Sequence, residues 1–163
     1  MTKVAYTGSF CPITFGHMNV VEKALRMFSK VVICIMHNSK KQDEMFTVEQ
    51  RYLMIKEIYK DNPRVEVVGI DSHRASVDVA IENGCSCMVR GLRSVTDYEA
   101  EVQLARINSL LSGGKIETIM LVADSVMQDI SSSLVREMFS LDKDVSMFVD
   151  KIVVEAMNAK KEV

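Results

Sequence analysis

Short, apolar, β-branched runs alternate along this chain with segments whose apolar residues recur at helical spacing. This alternation constrains the fold more than any other feature, because it is typical of parallel strands joined by helices. Each run is nearly continuously apolar, as expected of strands buried on both faces. The predicted strands are Val4–Thr7, Val31–Met36, Val65–Val68, Cys87–Val89 and Ile116–Val122. The predicted fold class is therefore α/β, a five-stranded parallel sheet with helices on both faces.

The predicted helices lie between these strands. After His17, one apolar helical face consists of Val20, Val21, Ala24, Leu25 and Phe28. Thr47 and Gln50 are spaced as a capping box, which predicts a helix from there through Tyr59. Further helices are predicted at Val77–Asn83, Asp97–Leu111, Ser132–Phe139 and Val145–Lys160.

Length, charge and cysteine usage exclude several classes of protein. The chain has 163 residues, 48% apolar and 26% charged, which fits one domain spanning residues 1–163. A formal net charge of -2 without a long block of like charge argues against nonspecific nucleic-acid binding. The apolar stretches are too short to span a bilayer, and the first residues lack the apolar core of a signal peptide. We expect a cytoplasmic protein with four reduced cysteines and with neither nucleic acid nor membrane as partner.

In open parallel sheets, ligands bind beyond the carboxyl ends of the strands. Residues that directly follow the predicted strands are therefore candidates for a binding site. These segments are Thr7–His17, His37–Lys41, Asp71–Ser76, Arg90–Arg93 and Ala123–Ser133.

The segment Thr7–His17 has the composition of a phosphate site. Gly8 and Gly16 allow close approach of the backbone to a ligand, and the amides of a turn and a helix start favour an anion. His17 lies near the positive end of the helix dipole, which favours its neutral form, whereas a bound triphosphate favours the imidazolium. His17 is predicted to donate to phosphate oxygens; the alternative is a histidine that only packs at a strand-to-helix turn.

The segment Arg90–Glu101 places two arginines around a glycine directly after a strand. Arg90 and Arg93 can present separate guanidinium groups to phosphates, which arginine binds bidentately. Asp97 and Glu101 are one helical turn apart and share a face. The alternative is an ordinary solvated loop and helix start.

Two further segments carry weaker signals. Ser131–Ser133 precedes an apolar helical face, and serine hydroxyls and free amides at a helix start suit an anion, although capping alone explains one serine. Ser39, Lys40 and Lys41 follow the second predicted strand, where a lysine pair is usually only a solvated turn.

Taken together, these residues resemble the phosphopantetheine adenylyltransferases, bacterial enzymes of coenzyme A synthesis with a Rossmann-like fold. The family's motif Gly-Thr/Ser-Phe-Asp-Pro-x-Thr-x-Gly-His is matched from Gly8 to His17 except at Cys11. Its Arg-Gly-Leu-Arg followed by an Asp-aromatic-Glu-x-Glu helix is matched by Arg90–Glu101. Its Ile-Ser-Ser-Ser-x-Val-Lys/Arg-Glu motif is matched by Ile130–Glu137. The first motif is shared by many nucleotidyltransferases. The other two motifs together are much more specific to this family.

The resemblance implies that the phosphate of 4'-phosphopantetheine attacks the α-phosphorus of ATP, giving dephospho-coenzyme A and pyrophosphate. Catalysis of this kind rests on aligning two polyanions and stabilising the charge between them. By position, the implied catalytic residues are His17, Arg93 and Lys41, with Lys40 as the alternative to Lys41. The residues implied to bind phosphopantetheine are Ser9, Lys41, Ser76 and Arg90. The residues implied to bind ATP are Ser9, Phe10, His17, Gly91, Leu92, Arg93, Glu101, Met127, Gln128, Asp129, Ile130, Ser131, Ser132 and Ser133.

The resemblance also implies Mg²⁺ held mainly by substrate phosphates and water, with no dedicated protein site. It implies a homohexamer and coenzyme A as a feedback ligand. The chain departs from the family at Cys11, where an aspartate is usual, at Phe15, and in the polar stretch 71–75. Two alternatives therefore stay open: a paralogue that binds ATP or coenzyme A without turnover, and adenylyl or cytidylyl transfer to another phosphorylated acceptor.

Overall fold

The computed structural model describes residues 2–37, 45–70 and 73–161. In this part of the chain, five strands form one sheet in the order β3-β2-β1-β4-β5, and every neighbouring pair is parallel. The strands are β1 Lys3–Gly8, β2 Lys30–Met36, β3 Val65–Ile70, β4 Cys87–Leu92 and β5 Glu117–Val122. The predicted α/β class and five-stranded parallel sheet are confirmed.

Helices cover both faces of the sheet. They are α1 Phe15–Met27, α2 Val48–Ile58, α3 Ser76–Glu82, α4 Val95–Leu111, α5 Ser132–Ser140 and α6 Lys151–Lys161, with a short 3₁₀ turn at Ser125–Met127. Because side chains alternate along a strand, Val4 and Tyr6 enter one apolar cluster and Ala5 enters the other. The core therefore consists of two layers, one on each side of the sheet.

Capping boxes begin two of the helices. Thr47 caps α2, its hydroxyl accepting from the Gln50 N–H and its own N–H donating to the Gln50 side chain, as predicted. Thr14 caps α1 in the same way, with His17 in the position usually held by Glu or Gln. The histidine therefore has a structural partner at the helix start, which the sequence did not indicate.

The two edge strands are less buried than their apolar sequences predicted. The residues of β3 are half-buried except for Gly69, which is exposed, and in β5 only Leu121 is buried. Both strands lie at the edges of the sheet, where each has a neighbouring strand on one side only. The expectation that every strand is buried on both faces was wrong for these two.

Strand β4 continues beyond its predicted end at Val89. Arg90, Gly91 and Leu92 pair with Met120, Leu121 and Val122 of β5. Arg90 and its two successors are therefore strand residues, whereas the sequence placed them in a loop after the strand. Pairing with β5 extends the strand through a glycine and a charged residue.

The predicted start of the last helix, at Val145, was wrong. Helix α6 begins at Lys151, although Val145 and Val149 are buried in the core as the apolar spacing indicated. The carbonyl of Phe148 accepts from the Phe15 N–H at 2.9 Å, and Oδ1 of Asp150 accepts from the Ile152 N–H at 2.9 Å. The first contact diverts the backbone, and the second begins a new helix.

Candidate active site at the split between β1 and β4

The site lies where two central strands separate. The ladder between β1 and β4 covers only Val4–Tyr6 and Cys87–Val89, so it ends before either strand does. Chain order reverses at this point, because β2 follows on one side of β1 and β4 on the other. A pocket at the carboxyl end of this split is lined by Tyr6, Thr7, Gly8, Ser9, Phe10, Gly16, His17, Val20, Arg90, Gly91, Arg93, Glu101, Ala123 and Ile130.

His17 is held in one orientation and one tautomer. Its Nδ1 accepts a hydrogen bond from the Thr14 N–H at 3.0 Å, so the proton of the neutral ring is on Nε2. Burial, followed by the positive charges of Arg93 and Arg90, lowers the pKa of His17 from 6.5 to about 4. The Phe10 ring contacts the imidazole edge to face, with centroids 5.1 Å apart. At neutral pH, His17 is thus a neutral N–H donor.

Arg90 is paired with Glu101 across the pocket wall. Its Nε and Nη2 donate to the two carboxylate oxygens at 2.6 and 2.9 Å, a bidentate ion pair. Its Nη1 donates to the carbonyl of Thr7, which lies on the strand that has separated from β4. The second N–H of Nη2 has no acceptor among the described residues, so Arg90 retains a donor for a phosphate oxygen.

Arg93 follows β4 and is more open than Arg90. Its Nε donates to Oδ2 of Asp97 at 3.2 Å, one helical turn along. The side chain of Arg93 is 38% exposed and also lines the pocket. The two arginines therefore add positive charge at two depths of one pocket.

The turn between β1 and α1 is held by side chains from two distant helices. Arg51 of α2 donates to the carbonyl of Ser9 at 2.6 Å. From α5, Arg136 donates to the carbonyl of Cys11 and Ser132 to that of Pro12 at 2.7 Å. Sequence reasoning missed Arg51 and did not single out Arg136, because neither lies near the turn in sequence.

Gly16 permits close packing at the start of α1. A Cβ at this position would lie 3.0 Å from the carbonyl oxygen of Ile130, a backbone atom. A larger residue here would require helix α1 and the segment before α5 to move apart by a few tenths of an ångström. This contact brings Ile130 into the lining of the pocket that His17 shares.

The serine run uses its hydroxyls within the protein. Ser131 caps α5 by accepting from the Leu134 N–H at 3.1 Å, Ser132 bonds Pro12, and Ser133 accepts from Arg136 at 3.2 Å. The prediction that these hydroxyls are aimed at an anion stays a prediction: Ser132 donates to a backbone carbonyl, whereas Ser131 and Ser133 accept here and keep their O–H donors. The amides at this helix start remain candidates for a ligand.

Several predicted site residues lie outside the pocket lining. Ser76 begins α3, where its hydroxyl lies 3.4 Å from Oδ1 of the buried Asn108. Leu92 lies beside Arg93 in a neighbouring shallow surface depression. Met127, Gln128 and Asp129 belong to or follow the 3₁₀ turn. Lys40 and Lys41 lie outside the described residues.

Two classes of feature are missing from the described part of the chain. None of its helices combines the length and apolar character that crossing a bilayer requires. Within residues 2–37, 45–70 and 73–161, no three His, Cys, Asp or Glu side chains are grouped to hold a metal ion. Glu101, which lines the pocket, and Asp97, the partner of Arg93, are both paired with arginines.

A comparison with protein families agrees with this architecture. Residues 5–138 match the family described as cytidylyltransferase-like. The matched range begins in β1 and ends in α5, and it contains every residue that lines the pocket. The fold and the site therefore define a nucleotidyltransferase of the cytidylyltransferase-like class.

Similar proteins of known name identify the family within this class. The phosphopantetheine adenylyltransferase of Finegoldia magna is 40% identical over 94% of this chain and 93% of its own. The proteins of the same name from Bacteroides thetaiotaomicron and Rhizorhabdus wittichii are also 40% identical, over 91% and 96% of this chain and 95% and 93% of their own. The chain belongs to the phosphopantetheine adenylyltransferase family, as its motifs predicted.

Proposed function

We propose that this protein transfers the adenylyl group of ATP to 4'-phosphopantetheine, giving dephospho-coenzyme A and pyrophosphate. The observation that carries the proposal is the convergence of His17, Arg90 and Arg93 on one pocket. Two phosphorylated substrates require several cationic and neutral donors around a single reacting phosphorus, and this pocket supplies both kinds. The name shared by the relatives supports the same reaction.

In this reaction a phosphate oxygen of phosphopantetheine bonds to the α-phosphorus of ATP. The bond from that phosphorus to the bridging oxygen breaks, and pyrophosphate leaves with the electron pair. No protein nucleophile takes part, so the protein acts by positioning and by stabilising charge. We assign the donation to the transferring phosphate to Nε2–H of His17, which needs no change of protonation at neutral pH.

The two arginines take different substrates in this proposal. Arg90, braced by Glu101 and Thr7, would offer its remaining Nη2 donor to the phosphate of phosphopantetheine. Arg93, which is more exposed, would bind the phosphates of ATP together with the backbone of Gly91 and Leu92. Ser9 and Phe10 would line the junction between the substrates. Lys41 would add a further cation, and Ser76 would contact the pantetheine arm.

The nucleotide would extend from His17 towards the 3₁₀ turn and the start of α5. Gly16 packs against the carbonyl of Ile130, so this segment adjoins the pocket. The amides of a helix start favour an anion even when the serine hydroxyls are engaged elsewhere. The residues assigned to this part of the site are Met127, Gln128, Asp129, Ile130, Ser131, Ser132 and Ser133.

Mg²⁺ fits this site only as a companion of the substrates. Glu101, which lines the pocket, and Asp97, which pairs with Arg93, are both engaged by arginines, so these carboxylates are poorly placed to form a cage. Magnesium commonly keeps several waters and binds substrate phosphates. It would neutralise phosphate charge, while His17 and the arginines orient the reacting groups. We further propose a cytoplasmic location, a homohexameric assembly and coenzyme A as a feedback ligand.

The test is the identity of the acceptor. The purified protein is supplied with ATP and Mg²⁺, and pyrophosphate release is followed with phosphopantetheine, nicotinamide mononucleotide or glycerol phosphate. Release with phosphopantetheine, and dephospho-coenzyme A detected by mass spectrometry, supports the proposal. Binding of ATP without turnover, or faster turnover with another acceptor, contradicts it.

A further inference from the structure

Arg51 is a fully buried charged side chain. It lies on α2 and is 0% exposed. Arginine is rarely buried to this extent unless its donors are satisfied. Its Nε donates to the carbonyl of Thr47 at 3.2 Å, and its Nη1 to the carbonyls of Ser9 at 2.6 Å and Met36 at 3.5 Å.

Two of these carbonyls lie at the carboxyl ends of neighbouring strands. Ser9 directly follows β1, and Met36 is the last residue of β2. Arg51 therefore ties α2 to the edge of the sheet at which the pocket opens. The ligand pocket includes Ser9 itself and the next residue, Phe10.

The carbonyl of Ser9 belongs to an unusual peptide. Phe10, the residue that follows, has φ of 48°, in the left-handed region that a bulky side chain rarely adopts. Residues held there cost about 1–3 kcal/mol and persist when their surroundings fix them. Because a peptide group is planar, the bond from Arg51 to the Ser9 carbonyl also fixes the direction of the Phe10 N–H.

The rest of the turn has its own supports. Arg136 and Ser132 hold the carbonyls of Cys11 and Pro12 from α5. Neither reaches Ser9 in the described contacts. The Phe10 ring is buried against Tyr6 and His17, and the side-chain hydrogen bond that holds the carbonyl of the preceding peptide comes from Arg51 of α2.

We infer that Arg51 is a positioning residue for adenylyl transfer: its hydrogen bond to the Ser9 carbonyl sets the wall of the pocket that Ser9 and Phe10 form. It acts through this peptide and does not contact the reacting atoms. The inference rests on the proposed function only for its kinetic readout. A lysine keeps the charge, but all its donors lie on one nitrogen, so it cannot reproduce the fork that reaches several carbonyls at once.

Arg64 provides a matched control at the opposite end of the sheet. This arginine also binds three backbone carbonyls, those of Leu25, Phe28 and Ser29, just before β2 begins. The two arginines match in the kind of acceptor they bind and differ in depth, because Arg64 is exposed and Arg51 is fully buried. Arg64→Met therefore controls for the loss of an arginine that binds backbone carbonyls outside the pocket, and the melting temperatures measure the remaining difference in stability.

The experiment compares Arg51→Lys, Arg51→Met and Arg64→Met for melting temperature, kcat and KM. We expect Arg51→Lys to lower kcat by roughly 10- to 100-fold while it remains folded at the assay temperature, as expected for misplaced reacting groups. Arg64→Met should lower the melting temperature and keep kcat within about twofold of the parent, because it alters no pocket group. A folded Arg51→Lys with parental kcat, an equal loss of kcat in Arg64→Met, or failure of both Arg51 variants to fold overturns the inference.

A second readout keeps this test separate from the reaction. The amide resonance of Phe10, followed by NMR, should shift when ATP is added to the parent and to Arg64→Met, and should shift much less in Arg51→Lys. If the parent lacks adenylyl transfer, the proposed function fails while this comparison still decides the role of Arg51. Equal shifts in all three proteins contradict the inference.

Discussion

The N–H of Thr14 donates to Nδ1 of His17, across the first turn of α1. This bond caps the helix and at the same time fixes the proton of the neutral imidazole on Nε2. The same hydrogen bond therefore stabilises the start of α1 and orients a donor in the pocket. The histidine is oriented before any ligand arrives.

Replacement of His17 tests its assignment as the donor to the transferring phosphate. His17→Ala should lower kcat by roughly 100- to 1,000-fold, the usual cost of removing one preorganised donor. The KM for ATP should change much less, because Arg93 and the backbone remain. Steady-state kinetics with ATP and phosphopantetheine provide the measurement. A loss of less than tenfold in kcat would show that the assigned role is wrong.

The lowered pKa of His17 predicts a pH dependence of stability. Between pH 6.5 and about 4 the unfolded chain binds a proton at this residue that the folded chain does not. The contribution of His17 is therefore complete above pH 6.5 and is lost as the pH falls towards 4. Urea unfolding at several pH values should give a steeper fall in the free energy of unfolding for the parent than for His17→Gln. Carboxylates that titrate in this range are common to both proteins and cancel. Identical slopes, or an imidazole that titrates near 6.5 by NMR, would contradict this.

The bidentate pair of Arg90 and Glu101 predicts a coupled loss of stability and substrate binding. Glu101→Gln keeps the shape and removes the countercharge of a guanidinium that is 21% exposed. We expect a loss of about 1–3 kcal/mol in the free energy of unfolding. The KM for phosphopantetheine should rise, because Arg90 is no longer braced.

Asp97→Asn is the control for this prediction. Its partner Arg93 is 38% exposed, so the pair should contribute at most about 1 kcal/mol. Denaturant unfolding and acceptor KM are measured for both variants. An equal effect of the two substitutions would argue that the depth of the ion pair does not matter.

The close approach of Gly91 to Val20 predicts that a side chain at position 91 would clash, and that a smaller residue at position 20 would relieve the clash. A Cβ at this position would lie 2.8 Å from Cγ2 of Val20, a β-branched side chain on α1 with little freedom to move. Gly91→Ala should cost about 1–3 kcal/mol in the free energy of unfolding and should weaken activity, since both residues line the pocket. Adding Val20→Ala should recover part of the activity. If the double variant is merely the sum of the two single losses, the contact is not the cause.

Much of this architecture could be predicted because burial leaves a signature in the sequence. The central strands β1 and β2 are mainly apolar and buried along their middle residues because helices cover both of their faces, and the capping box at Thr47 marks the start of α2. The same reasoning failed at Val145 and Val149, whose spacing reflects a buried turn. Apolar spacing reports which residues are buried; a continuous helix would also pair the Phe148 carbonyl with the Ile152 N–H, and each of these groups has another partner here.

The pocket was only partly accessible to sequence reasoning. Its motif residues converge, but Arg90 and Glu101, which the resemblance placed on different substrates, bind each other. Arg51 looks like one more charge on an amphipathic helix, and its partner Ser9 lies 42 residues away. Long-range contacts of this kind have no periodic signal, because they arise only when the sheet brings the strand ends together.

The hydrogen-bonded ladder between β1 and β4 ends before either strand does, so the cleft is a gap within the sheet itself. No second domain and no inserted lid is needed to create the opening. Backbone pairing and substrate access therefore conflict. If β1 and β4 paired for one more residue each, the sheet would gain backbone hydrogen bonds and the gap would close. The best-paired version of this sheet would therefore be the one with no room for a substrate.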